Sequence, residues 1–320
     1  MRPKILIAEP DRFSPRALAA LTEWAEVDAR RPAGDSLRAA FENYEIVWLR
    51  LGFRVTSETV RPPARCRIVA TPVTGLDHID LEACKAAGIT VVSLRGETEF
   101  LREIRATAEL TVALALALLR RLPAACRSVL GGHWDRDQFQ GRELYGKTVA
   151  VIGMGRLGRI TAGYFRAFGT RVIGFDPYQA FPEDLAVPVA ALPDAVSQAD
   201  VVSVHVSYSA ETRRLINAGV FSAMKRGAVL VNTSRGGVID EFALLDALRT
   251  GKLAGAALDV LDGEPDIRAD NPLVAYAREH DNLIITPHIG GNTVESFEKT
   301  EVFLAQKVRE AWKRLDKPET

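Results

Sequence analysis

Short runs of β-branched and aliphatic residues alternate along this chain with longer stretches of helical spacing, the pattern of an α/β protein with parallel strands. Lys4–Ala8 reads as a first strand and Ser14–Ala25 as a helix, with further strands expected at Ile46–Leu49, Cys66–Ala70 and Thr90–Ser93. Their connections are short and carry Gly or Pro, and this first series stops near Gly96. A long amphipathic helix is expected over Arg105–Arg121, ended by Pro123. A more regular series follows, with strands at Lys147–Ile152, Arg171–Phe175, Val201–His205, Val229–Asn232, Gly255–Asp259 and Leu283–Thr286, and a helix at Arg156–Phe168. Thr293–Leu315 again has helical spacing and can return to the first series. One domain is therefore expected to be discontinuous, with residues 1–100 and 293–320 flanking a central domain over 101–292.

Length and composition narrow the class. A chain of 320 residues suggests about two domains, and 47% apolar residues can fill more than one core. Lysine and arginine balance aspartate and glutamate at 41 each, so no basic excess exists for coating nucleic acid. The three cysteines, Cys66, Cys84 and Cys126, form no CxxC pair and no metal spacing, and are expected as reduced thiols. No metal is expected. The N-terminal run turns polar too soon for a leader or anchor, and Leu110–Leu119 is too short to cross a bilayer. The expectation is a soluble, cytoplasmic enzyme with no membrane partner.

Residues 149–160, VAVIGMGRLGRI, carry the spacing GxGxxG after a buried strand and at the opening of a helix. The pattern is weak by itself, but in this context Gly153 makes the tight turn and Gly155 admits a pyrophosphate close to the backbone. Gly158 then lets the helix pack on the sheet. The amides of the helix start face the phosphates. An acid ends the next strand, Asp176 in VIGFDPY, where it can accept hydrogen bonds from the adenosine ribose. A carboxylate there repels a 2′-phosphate, and Pro177 and Tyr178 follow in place of Arg or Lys, which favours NAD over NADP.

Three later segments leave strands through glycines or loops: VNTSRGG (231–237), ALDV (257–260) followed by DGEP (262–265), and ITPHIGG (285–291). In a doubly wound sheet the carboxyl ends of the strands form the ligand crevice, and Arg235, Asp259 and His288 fall there, with Glu264 in a loop nearby. The residue types suit a 2-oxo acid. Arginine grips carboxylate and carbonyl oxygens with paired donors. Histidine exchanges a proton near neutral pH, and a carboxylate behind it fixes the ring and favours its protonated form. Asp259 can hold the nicotinamide carboxamide. Taken singly, each is an ordinary surface Arg, turn His or loop Glu. Three in this order, downstream of the dinucleotide pattern, favour the catalytic reading. His205 can line the cofactor pocket or be a satisfied core histidine, whereas His133 and His280 read as loop or helix-end residues.

Trp134 with GRELYGK (141–147), VIGMGRLGRI, VNTSRGGVIDE, ALDV with GEP, and TPHIGG together resemble the D-isomer-specific 2-hydroxyacid dehydrogenases over nearly the whole chain. The resemblance implies two doubly wound parallel-sheet domains, a Rossmann NAD domain and a discontinuous flavodoxin-like substrate domain. It implies a catalytic Arg235, Glu264 and His288, and NAD contacts from Gly153, Gly155, Arg156, Leu157, Gly158, Asp176, His205, Ser207, Thr212, Thr233, Ser234, Asp259 and Gly290. It also implies a homodimer joined through the long helix after the first domain, and closure of the two domains around the substrate.

The family's carboxylate clamp matches LRLGF (49–53) and VTGLDHID (73–80), with Arg50, Leu51, Thr74 and Gly75 expected at the substrate beside Arg235. Backbone amides near Thr74 and Gly75 can form a small nest of donors. Three features depart from the family. Leu51 and Phe53 stand where smaller or more polar residues are expected. The segment 95–105 is longer and more charged than the usual crossing between domains, and reads as a hinge, a dimer contact, a wall of the substrate site or, with more weight, a solvated face. Ser207 replaces a proline near the adenine, which alters packing more than chemistry. The resemblance implies hydride transfer at C2 of a small anionic acid such as glyoxylate, hydroxypyruvate or a D-3-phosphoglycerate-like acid. An NAD-sensing corepressor of the same fold is the alternative from another class, favoured by a peptide groove or disordered tail. A formate or phosphite dehydrogenase is a third reading.

Overall fold

The computed structural model describes residues 2–32 and 37–316. The chain forms two compact units, one of residues 1–104 with 293–320 and one of residues 105–292. Residues 317–320, the end of the expected C-terminal segment, lie outside the described residues.

The first unit is built on five strands, β1 (Lys4–Ile7), β2 (Glu26–Ala29), β3 (Ile46–Trp48), β4 (Ile68–Ala70) and β5 (Thr90–Val92). They pair in parallel in the order β2-β1-β3-β4-β5, the flavodoxin-like arrangement. Alternation along the strands sends side chains to two cores. Ile5, Ile7, Ile46 and Trp48 enter one, and Leu6, Val47, Leu49 and Val69 the other. The first core is closed by Ala17 and Leu21 from the helix Pro15–Thr22 and by Leu304, Ala305 and Val308 from the helix Val294–Leu315. The C-terminal helix thus completes the first unit. Each leucine or valine among them contributes about 1.5–3 kcal/mol on leaving water, and each alanine less.

The second unit carries β6 (Thr148–Ile152), β7 (Arg171–Phe175), β8 (Val187–Pro188), β9 (Val201–Val204), β10 (Ala228–Asn232), β11 (Leu253–Leu258) and β12 (Leu283–Ile285). All pairings are parallel, in the order β12-β11-β10-β9-β6-β7-β8, a doubly wound Rossmann sheet. Ala150 and Ile152 face one core while Val149 and Val151 face the other, so both faces are covered.

The helical path around Pro123 differs from expectation. The long helix runs Ala106–Leu119 and stops before the proline; Arg121 takes a left-handed conformation (φ 54°), and a second helix, Leu122–Leu130, begins with Pro123 in its first turn. Pro123 therefore opens a helix, because its missing N–H costs nothing where no acceptor precedes it. The charged segment packs within the first unit up to Ile104, and Arg105 begins the second. Glu97 pairs with Lys307 (2.5 Å) and Phe100 stacks on Phe303, while Arg102 and Glu99 form an exposed pair. Cys66 and Cys84 are buried thiols and Cys126 is exposed. Burial pushes Cys66 up to about 12 and Cys84 to about 11, so neither is a thiolate near neutral pH. Among the described residues no helix is long and apolar enough to cross a membrane.

Candidate active site

The second unit's switch point lies where β6 pairs with β7 on one side and β9 on the other. Gly153 leaves β6 there with φ +92°, and a Cβ on it would stand 2.8 Å from the His205 carbonyl carbon. Gly158 is pressed on the same turn, since a Cβ would come 1.9 Å from the Gly153 carbonyl oxygen. At Gly155 a Cβ would meet nothing closer than Gln179 at 4.0 Å, so the backbone is open at the N-terminus of the helix Arg156–Ala167. Asp176 closes the turn from β7: one carboxylate oxygen accepts the Met154 N–H (2.8 Å), the other those of Tyr178 (2.9 Å) and Gln179 (3.1 Å). An open helix start, a glycine turn and a carboxylate at the next strand end fit a dinucleotide. Arg156 is half-buried, and loss of solvent holds its guanidinium below the usual range.

His205 follows β9, with its Nε2 2.8 Å from the Ser203 hydroxyl. Burial pushes its pKa from 6.5 down to about 4. Between those values the unfolded chain binds a proton that the native protein refuses. His205 therefore leaves stability intact above pH 6.5 and erodes it as pH falls toward 4. Thermal midpoints should fall more steeply across that window in the native sequence than in His205→Gln. Parallel curves would refute this account.

Ser207 and Thr212 shape the next loop, the Thr212 hydroxyl donating to the Ser207 carbonyl (2.7 Å). Thr233 is buried, its hydroxyl 2.7 Å from that of Thr111, which itself donates to the Thr107 carbonyl. Thr233 thus supplies the proton in that pair.

Arg235, Glu264 and His288 follow β10, β11 and β12, which are neighbours in the sheet. Asn232, fully buried at the end of β10, accepts from the Ser234 N–H (3.0 Å) and hydroxyl (2.6 Å) and donates to the Arg235 carbonyl (3.0 Å). The turn bearing Arg235 is held in this way. Gly236 presses on the next loop, where a Cβ would lie 2.0 Å from the Leu261 carbonyl carbon and 2.2 Å from the Asp262 nitrogen. The Asp262 N–H donates to Glu241 (2.8 Å). Burial raises the Glu241 carboxyl, and that N–H pulls it down. Spacing alone does not single out Asn232 or Glu241; the Asn directly ahead of TSRGG is the available signal.

His288 has φ 53°, rare for a residue with a side chain, and such strain concentrates at functional sites. Asp259, 1% exposed, over-determines that conformation. Its carbonyl accepts the His288 N–H (2.8 Å), one carboxylate oxygen takes the Thr286 hydroxyl (2.6 Å) and Ile289 N–H (2.8 Å), and the other takes the Gly290 N–H (2.8 Å). Burial raises its carboxyl, and these donors and the nearby His288 lower it. The visible work of Asp259 and Gly290 is to hold the 286–290 turn. The Nδ1 of His288 stands 3.0 Å from Glu264 Oε1, with both side chains about a quarter exposed. A carboxylate only accepts, so Nδ1 carries the hydrogen and Nε2 is the nitrogen left for chemistry.

In the first unit, Thr74 is exposed and Gly75 half-buried beyond β4, and Leu51 is half-buried beyond β3. The donors of Arg50 are engaged inside this unit. Nε (3.1 Å) and Nη2 (2.5 Å) bind Glu301 Oε1, Nη1 donates to the Asp11 carbonyl (2.9 Å), and the guanidinium lies over the Phe297 ring at 4.3 Å. Among the described residues no group of three potential metal ligands comes together.

The family model for the NAD-binding domain of D-isomer-specific 2-hydroxyacid dehydrogenases matches residues 112–290. The chain is 36% identical over 312 residues to the D-3-phosphoglycerate dehydrogenase of Methanocaldococcus jannaschii, covering 96% of this chain and 57% of that protein. It is 36% identical over 310 residues to the Mycobacterium tuberculosis enzyme of the same name, covering 96% and 56%. The chain thus spans about half the length of the curated relatives it matches. Among solved structures, a Thermus thermophilus protein superposes with a TM-score of 0.83 at 33% identity, covering 97% of both chains. The Aquifex aeolicus D-lactate dehydrogenase, solved with NAD and lactic acid, gives 0.82 at 30% identity, covering 97% of this chain and 95% of that one.

Proposed function

The chain belongs to the D-isomer-specific 2-hydroxyacid dehydrogenase family, and from that premise we propose that it interconverts a small 2-oxo acid and its 2-hydroxy acid with NAD. The His288–Glu264 pair at 3.0 Å, on a strained turn at the strand ends, carries this reading. NAD, when bound, supplies the two-electron donor or acceptor. His288 gives a proton through Nε2 to the C2 oxygen in reduction and takes it back in oxidation. Glu264 keeps Nδ1 protonated and the ring aimed. Arg235 binds the substrate carboxylate and polarises the C2 oxygen. The glycine turn, Arg156 and Leu157 receive the pyrophosphate, while Asp176 receives the adenosine ribose and favours NAD over NADP. We assign His205, Ser207, Thr212, Thr233 and Ser234 to the cofactor's remaining edge. Asp259 and Gly290 support the nicotinamide side by holding the His288 turn. Leu51, Thr74 and Gly75 are our first-unit assignments for the substrate, with Arg50 behind them. Relatives named for phosphoglycerate and for lactate bracket what the acid can carry beyond C2.

The test follows absorbance of reduced nicotinamide with glyoxylate, hydroxypyruvate, pyruvate and phosphohydroxypyruvate. Turnover of at least one supports the reading. No turnover on any, while NADH binds tightly, moves the chain to an NAD-sensing role.

We further propose a homodimer. Leu122, Val129, Leu130 (88% exposed) and Trp134 (89%) are large apolar side chains left exposed on or shortly after the helix Leu122–Leu130. Large apolar side chains clustered along one short segment are what an association surface needs. Sedimentation should give the mass of two chains, and Trp134→Glu with Leu130→Glu should give one. A monomer in the native sequence overturns the assignment.

A further inference from the structure

The first unit has its own switch point. β1 pairs with β2 on one side and β3 on the other, so the ligand-facing crevice of this sheet opens beyond the carboxyl ends of β1 and β3. Glu9 follows the first of these strands and Arg50–Phe53 the second. An anion arriving there would be met by backbone N–H groups and by an arginine.

The protein already answers those donors with its own carboxylates. Glu9 accepts the Arg50 N–H at 2.6 Å through Oε2 and the Gly52 N–H at 3.0 Å through Oε1. Glu301, fully buried, accepts both Nε and Nη2 of Arg50 through Oε1 and the Ser14 N–H at 2.7 Å through Oε2. The third donor arm of Arg50 goes to the Asp11 carbonyl, and its face covers Phe297. Arg31 reaches the same place: a Cβ on Gly52 would lie 2.6 Å from Glu9 and 3.4 Å from Arg31, and the Arg31 guanidinium sits 5.4 Å from the Phe53 ring centre. Among the described contacts, Arg31 and Arg50 stand beside the carboxylates of Glu9 and Glu301. Of the side chains the loop adds, Leu51 and Phe53 are apolar and half-buried, and Arg54 after them is exposed and already partnered.

A phosphate or distal carboxylate is recognised by surplus positive charge and by donors that lose their partners on its arrival. Here each donor pairing described has an internal acceptor, and displacing it would strand a carboxylate beside the incoming anion. Building on the proposed function, we infer that Glu9 and Glu301 restrict the substrate to a 2-oxo acid with a single negative charge and an uncharged, mainly apolar group on its far side. Arg50 acts as a framework residue of the crevice, and Glu9 and Glu301 as positioning residues that set the charge it presents. The relatives named D-3-phosphoglycerate dehydrogenase share the fold, but a phosphorylated acid suits this crevice poorly.

The test compares kcat/KM for pyruvate and 2-oxobutyrate with that for phosphohydroxypyruvate and 2-oxoglutarate. It also compares calorimetric binding of oxamate and phosphoglycolate to the NADH-loaded protein. The acids with uncharged tails should be favoured by about 100-fold or more, since a pocket with mismatched polar groups discriminates strongly. Glu9→Gln should narrow that ratio about tenfold by removing one carboxylate; its single amide oxygen keeps one of the two loop N–H contacts, and a thermal melt checks that the variant stays folded. Glu301→Gln should narrow it further by unbalancing Arg50; if that variant unfolds, Glu9→Gln alone decides. Equal or better turnover of phosphohydroxypyruvate by the native protein overturns the inference and leaves the dehydrogenase reading standing, as does a ratio unmoved by Glu9→Gln. If no acid is reduced and neither analogue binds, the dehydrogenase reading fails and takes this inference with it.

Discussion

His288→Ala is expected to lower kcat for 2-oxo acid reduction by about a thousandfold, within the range that a positioned acid or base contributes. The imidazole is the ionisable ring that this strained turn presents, and nothing in alanine can replace Nε2. NADH affinity, followed by fluorescence, should stay within about twofold, because the glycine turn and Asp176 lie at the other strand ends. Glu264→Gln should lose about a hundredfold in kcat. An amide can still touch Nδ1, but it neither selects one tautomer nor stabilises an imidazolium. A His288→Ala variant retaining a tenth of native kcat would remove His288 from the proton path.

The second large effect concerns a residue with no side chain. Gly236→Ala would place its Cβ within 2.4 Å of three backbone atoms of Leu261 and Asp262. Backbone cannot rotate away as a side chain does, so one of the two loops must move. One of these loops carries Arg235 and the other leads to Glu264. A shift near 1 Å at such a site costs about a hundredfold in rate. The expected result is a fall in kcat/KM of about two to three orders of magnitude, with a loss of roughly 3 kcal/mol in denaturant unfolding. Gly237→Ala is the control. The nearest atoms to its Cβ would all belong to the Tyr208 ring and hydroxyl, from 2.7 Å, on a side chain 41% exposed. If both variants behave alike, the backbone packing of the two loops is not what aligns the site.

Much of the second unit was legible in the chain. Apart from the exposed edge strand β8, which the sequence pattern does not reveal, its strands are short continuous aliphatic runs buried on both faces, and Asp176, Arg235 and His288 fall at the ends where a doubly wound sheet places its ligands. The first unit was less legible. Strand β2, EVDA, lies at the sheet edge with charged and half-exposed positions, so it lacks the alternation that reveals a strand. Short helices in both units, such as Leu37–Asn43 and Leu192–Gln198, span too few turns to show a period. Pro123 was read as a stop signal, whereas its neighbours made it a start.

Local order in the sequence determined which residue types stand at each strand end, because spacing along one strand and its turn is all that such an argument needs. The glycines of the dinucleotide turn and the Asp176 carboxylate belong to this class. Tertiary structure alone decided how these residues are held and how charged they leave their surroundings. Asp259 anchors a turn 30 residues on, Asn232 shapes the Arg235 turn through its amide, and Glu301 crosses 251 residues to take the guanidinium of Arg50. No spacing rule encodes a contact closed across two strands and a helix. The packing of the core brings such groups within hydrogen-bonding distance, and burial then makes each pairing obligatory.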